Sequence, residues 1–248
     1  MSEAVIVEAV RSPGGRYKRG GLAATRGDDY AIEVLKGLLA RVPQLKPEDV
    51  DDVIVGCSFP EAETGMNLGR VVAMGAGLPI TTSGMTVNRF CSSGVQAIAD
   101  ATAKIRAGWS DVIIAGGCET MTHIPMGGGI FRPSPAWKFD GSMPNVYVSM
   151  GVTAENVAAR YEIGRAAQDA LAAESHRRAA TAWREGRFAS QIVPVDTVVK
   201  RKTVPFAADE RVPFIDGGFQ LRGEGIPVQR RHQHDNISLF QHRRQEIE

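Results

Sequence analysis

Residues 87–101 read VNRFCSSGVQAIADA, and their order of residue types sets the frame for the chain. Met85–Val87 makes a short β-branched run, a strand. Beyond the cysteine, Val95, Ile98, Thr102 and Ile105 recur at helical spacing and mark one face of a helix that stops near Gly108. The stretch is a strand, a turn carrying Cys91, and a helix. Next comes DVIIA (111–115), a strand closed by Gly116 and Gly117. Upstream, Val53–Cys57 reads as a strand, and Asn67–Gly77 as a helix ending at Gly-Leu-Pro. Further upstream, Ala4–Val10 (AVIVEAV) predicts a buried strand. Asp28 is a candidate cap for a helix carrying Ile32, Leu35, Leu38 and Leu39, broken by Pro43 and Pro47. Strands alternating with helices predict an α/β layered sheet with parallel pairs.

From Cys118 to Met150 the texture changes. MTHIPMGGGIFRPSPAWKFDGSMPN (121–145) is rich in Gly, Pro, Met and aromatics, and predicts a loop region over a pocket. Two helices follow, one with Thr153 as a candidate N-cap, the other long, Ala-rich and ended by Gly186. Ile192–Lys200 reads as extended. Three segments result: 1–117, an α/β core; 118–208, a loop domain with flanking helices; and 209–248, a divergent tail. The tail holds His232, His234 and His242, no lysine and no apolar period, and reads as possible disorder. Its HxH pair reads as polar sequence rather than a metal site, which needs defined geometry and a supporting shell.

The totals narrow the function classes. The chain has 248 residues, enough for a buried core, with 43% hydrophobic and 23% charged residues. A formal charge of +1 gives no reason to expect a nucleic-acid partner. There is no apolar run of membrane-spanning length and no signal-peptide pattern at Met1–Val10. Three widely spaced cysteines without a CxxC pair predict free thiols, a cytoplasmic setting and no metal site.

Two meanings stay open for Cys91. A free cysteine ordinarily packs as a small hydrophobe. The alternative is a nucleophile, because the first turn of a helix presents unpaired N–H groups and the positive dipole end, surroundings that favour thiolate. Ser92, Ser93 and Gly94 are small and admit a substrate close to the backbone, where an N–H can face a developing oxyanion.

VNRFCSSGVQAI (87–98), followed by DVIIAGGCETM (111–121), resembles the active-site signature of the thiolases, the acetyl-CoA acyltransferases. AVRSPGGRYKRGGL (9–22), FPEAETGMNLGR (59–70) and the run from MGVTAEN to QIVPV (150–195) are similar to further thiolase segments in the family's order. VGCSFPEAETGMN (55–67) is closest to degradative 3-ketoacyl-CoA thiolases, which serve fatty acid β-oxidation. The resemblance implies a thiolase-like layered fold: an N-terminal βαβαβ half with an inserted loop domain, and no C-terminal half in this chain. It implies Cys91 as nucleophile, with thiolytic cleavage of 3-ketoacyl-CoA, or the reverse acetyl-CoA condensation, through an acyl-Cys91 intermediate. Ser149 and Met150 would border the pantetheine arm of coenzyme A, and Arg201 its adenosine end. Coenzyme A is then a substrate, with no permanently bound cofactor and no metal. The partners implied are acyl-CoA, coenzyme A and further copies in a dimer or tetramer, with no nucleic acid and no membrane.

The same resemblance implies two motifs that this sequence lacks. They are a Gly-His-Pro-x-Gly whose histidine activates the nucleophile, and a Cys-x-Gly-x-Gly whose cysteine moves protons. Cys118 is followed by Glu-Thr-Met and belongs to the first signature. The alternative expectation is therefore a truncated, catalytically silent thiolase fragment or a partner-dependent subunit, with the tail arising from an altered reading frame. A related condensing enzyme is a more distant reading, since MGVTAEN and SHRRAATAWREGRF are thiolase-like text.

Overall fold

In a computed structural model, the structure describes residues 3–138, 140–199 and 201–210. They divide into two compact units: 3–132 with 182–210, and 133–181.

The first unit is built on three parallel strands, β1 (Asp52–Gly56), β2 (Ser83–Val87) and β3 (Ile113–Gly117), in the order β2-β1-β3. Every residue of β1 is buried, as a central strand covered on both faces must be. Its side chains alternate between the two faces. Val53 and Val55, with Cys57 beyond the strand, pack with Leu35 of α1 (Gly27–Arg41) and with Leu68 and Val72 of α2 (Leu68–Gly75). Ile54 turns the other way, onto Ala97 and Ala101 of α3 (Ser93–Arg106). The result is a helix–sheet–helix sandwich, the α/β class expected from the alternating elements. At its edge, Lys104 of α3 reaches Asp52 at the head of β1, Nζ to Oδ2 2.6 Å.

The buried face of α3 differs from the apolar stripe read from spacing. Val95 and Ile98 are exposed, while Ser93, Ala97 and Ala101 are buried. Glycine explains the choice. A Cβ on Gly56 would stand 2.3 Å from the carbonyl carbon of Ser93, and Gly117 approaches the backbone of Gly94. The helix lies so close to the sheet that its small-residue face is the one that fits.

Other boundaries moved for local reasons. Arg26, not Asp28, precedes α1, and Asp28 sits in the first turn, paired with that arginine. The helix ends at Arg41, two residues before Pro43. Asn67 caps α2, its side chain accepting from the Arg70 N–H. The segment Ala4–Val10 is not a strand here. Val5, Ile6 and Val7 are 70–78% exposed, and the nearest pairing among the described residues is the bridge Arg11↔Ile192. A β-branched run becomes a strand only where a neighbouring edge takes its hydrogen bonds.

The extended run 192–200 holds β4 (Val195–Val199), which pairs antiparallel with β5 (Lys202–Phe206). Asp209 is tied to this unit by a two-bond contact with Arg11, by the Gly14 N–H and by the Trp183 indole. Burial pushes the Asp209 carboxyl up, but Arg11 and these donors outweigh it and hold it below the usual aspartate range. Beyond Glu210 the divergent tail lies outside the described residues.

The second unit holds α4 (Met150–Arg160) and most of α5 (Arg165–Arg184). Residues 118–149 contain no helix or strand among the described residues, in keeping with their Gly/Pro content. Ser149, not Thr153, caps α4. No described helix is long and apolar enough to cross a membrane.

The glycine contact carries a stability expectation. Gly56→Ala forces backbone apart at the foot of α3, and urea unfolding should show a loss of about 1–3 kcal/mol, the usual cost of overpacking. A variant as stable as the parent would contradict the close approach.

Candidate active site

The C-terminal ends of the three parallel strands meet at one edge of the sheet, where open α/β folds place their ligands. There β2 gives way to the turn Asn88–Ser92 and then to α3. Phe90 has φ +47°, a left-handed conformation that an aromatic residue adopts at a cost. Neighbouring groups hold it. The Phe90 N–H donates to Asn88 Oδ1 (2.8 Å), and the Phe90 carbonyl accepts from both the Ser93 hydroxyl (2.6 Å) and the Ser93 N–H (2.9 Å). Ser93, 3% exposed, also accepts the Arg89 N–H at 2.9 Å, and the Ser92 hydroxyl donates to the Arg89 carbonyl. The Phe90 ring leans on Phe59 at 6.3 Å. This sharp turn leaves Cys91 exposed, directly before the N-cap Ser92 of α3.

The other two cysteines are different. Cys118 is buried, its thiol facing the Gly27 carbonyl at 3.3 Å, and burial pushes it up to about 12. Cys57 is also buried; its thiol is raised first by burial and then by the charge of Glu119. Both are held as neutral thiols, so Cys91 is the sulfur open to a reagent.

The remaining residues singled out from the sequence fall elsewhere. Ser149 uses its hydroxyl to accept the Val152 N–H, and Met150, the first residue of α4, is 65% exposed. Both lie in the second unit. Arg201 is exposed in the β4–β5 turn of the first unit, at φ +65°. A cleft of about 320 Å³ beside α3 is lined by Met85, Asp100, Lys104 and Trp109, not by Cys91.

Residues 4–214 match the model of the thiolase N-terminal domain. The chain belongs to the thiolase family. Among similar thiolases, the 3-ketoacyl-CoA thiolase of Bacillus subtilis (strain 168) is 47% identical over 199 residues, covering 80% of this chain and 50% of that protein. The 3-ketoacyl-CoA thiolase of Idiomarina loihiensis is 42% identical over 193 residues, 77% of this chain and 49% of that one. The crystal structure of the Bacillus anthracis acetyl-CoA acetyltransferase superposes with a TM-score of 0.73 at 35% identity, over 85% of this chain and 55% of that one. The chain thus spans about half the length of the curated relatives it matches.

His123 lies in the loop after β3. Its Nδ1 lies 2.6 Å from Glu63 Oε1 and its Nε2 2.9 Å from the Ala23 carbonyl. A carbonyl and a carboxylate only accept, so both ring nitrogens must donate, and the ring is an imidazolium. The Ala23 carbonyl and then Glu63 raise its pKa, against smaller opposing effects of burial and then of Arg26. Glu63 Oε1 also takes the Gly27 N–H, so this ion pair staples the loop after β3 to the start of α1. Sequence alone offers no sign of it, since the partners lie 60 and 100 residues away.

A raised histidine value stabilises the fold below the unfolded value and loses that contribution as pH rises through the folded one. The thermal midpoint of the parent should exceed that of His123→Ala most at pH below 6.5, the ordinary value. The gap should close toward alkaline pH. A gap independent of pH would rule out the imidazolium.

Proposed function

We propose that this chain is the nucleophile-bearing part of a thiolase that acts on 3-ketoacyl-CoA, with coenzyme A as the second substrate. The observation that supports it most is the exposed Cys91 on a strained turn at the start of α3, within the thiolase-like motif. The sulfur adds to the 3-keto carbon and the carbonyl electrons move to oxygen. As that carbonyl re-forms, the bond between C2 and C3 breaks and leaves the enolate of acetyl-CoA, which takes a proton. The shortened acyl group stays as a thioester on Cys91. Coenzyme A thiolate then attacks that thioester, and Cys91 leaves as thiolate. The thioester delocalises the enolate charge, and hydrogen-bond donors suffice to hold it. No permanently bound cofactor enters this scheme. Ser149 and Met150 border the pantetheine arm in this reading, and Arg201 meets the adenosine end, where a guanidinium suits phosphate or a base face. The assembly is a homo-oligomer working in the cytoplasm, in fatty acid β-oxidation.

A second reading has its own support. The sequence lacks the Gly-His-Pro-x-Gly and Cys-x-Gly-x-Gly motifs, and the chain spans about half of its relatives. In that reading the nucleophile is here, and its base and proton carrier come from other residues, as on a partner chain.

Intact-mass analysis after incubation with acetyl-CoA separates the possibilities. The parent should gain one acetyl group and Cys91→Ser none. Continued consumption of 3-ketoacyl-CoA by the purified chain would support the self-sufficient enzyme, and acylation without turnover the partner-dependent one. A parent that stays unmodified, or a Cys91→Ser variant labelled equally, would refute acyl-Cys91.

A further inference from the structure

Asn88 stands three residues before Cys91, and both ends of its side chain are engaged. Nδ2 donates to the Ser58 carbonyl at 2.9 Å, and Oδ1 accepts the Phe90 N–H at 2.8 Å. A flipped amide would face a donor with a donor and a carbonyl with an oxygen, so the orientation is fixed. Ser58 is itself anchored, its N–H donating to Glu119 Oε2 at 2.7 Å. Glu119 is pinned in turn: its carbonyl accepts the Tyr30 hydroxyl at 2.5 Å, and its other carboxylate oxygen lies 3.8 Å from the Cys57 sulfur. The segments that leave β1, β2 and β3 are thus joined in one relay that ends on the Phe90 N–H.

We propose that Asn88 is a positioning residue for Cys91, holding Phe90 in its left-handed conformation, and that Glu119 anchors the strand end against which Asn88 works. This rests on the reading of Cys91 as the acyl-accepting nucleophile. The torsions at Phe90 set the direction in which the next residue leaves the turn, and therefore where the Cys91 sulfur points. An aromatic residue returns to negative φ when nothing opposes it. Ser93 holds the Phe90 carbonyl but does not touch its N–H. Without the amide of Asn88, the first half of the turn relaxes and Cys91 shifts from its place directly before the N-cap of α3.

The test is the rate of Cys91 alkylation by iodoacetamide, read by peptide mass spectrometry, with the buried Cys57 and Cys118 as reporters of an intact fold. Asn88→Ala should slow Cys91 alkylation several-fold, with Cys57 and Cys118 still protected. Asn88→Ser keeps a neutral acceptor for the Phe90 N–H, as in a serine turn, but loses the donor to the Ser58 carbonyl. Its rate should fall between those of the parent and the alanine variant. A folded Asn88→Ala alkylated at the parent rate would overturn the proposal. If the alanine variant opens the fold and all three cysteines label, Asn88→Ser decides: slowed alkylation supports the positioning role, and the parent rate overturns it. Acylation of the parent by acetyl-CoA, run alongside, keeps the two ideas apart. A parent that is never acylated sinks the nucleophile reading, whereas an acylated parent with unchanged Asn88 variants sinks only the positioning role.

Discussion

Gly56 has no Cβ, and helix α3 begins where that Cβ would stand. The approach of sheet backbone to helix backbone sets the depth at which α3 sits, and much of the first unit follows from it. Ala97 and Ala101 are buried under Ile54 because nothing larger fits that gap, and Val95 and Ile98 face away. The Asn88–Ser92 turn must then climb from the end of β2 to a helix start that lies unusually close. Such a climb requires a sharp change of direction, and the left-handed Phe90 provides it.

A turn of that kind does not hold itself. Its backbone groups are taken up by Asn88, Ser92 and Ser93, and its surroundings by Glu119 and Ser58. Further out, the imidazolium of His123 closes on Glu63 and ties the loop after β3 to α1. The polar groups around Cys91 are occupied in holding shape, while its sulfur is left exposed. Cys57 and Cys118, at the ends of the other two strands, are buried and kept neutral. Three cysteines at the ends of three parallel strands thus have two fates, and burial draws the line between them.

Local patterns made much of this legible. The strand–turn–helix around Cys91, the approximate spans of α1 and α2, and the parallel alternation can all be read from residue types, because each depends on neighbours in sequence. The family, too, was legible from motifs spread over most of the chain. What stayed hidden depends on groups far apart in sequence. The buried face of α3 was misread because apolar spacing does not reveal that Gly56 and Gly117 demand small residues. Ala4–Val10 has the composition of a strand but not the neighbouring edge. The imidazolium of His123 requires Glu63 and Ala23, and the anchoring of Asn88 requires Ser58 and Glu119. None of these pairings leaves a local trace.

The claim at the centre is that the fold, not the sequence around it, makes Cys91 reactive. The direct measurement compares the second-order alkylation rate of Cys91 in the native chain with that of the same residue in urea, at one pH. The account predicts a native rate several-fold above the unfolded one, with Cys57 and Cys118 moving the opposite way. A native Cys91 that reacts no faster than its unfolded counterpart would contradict it.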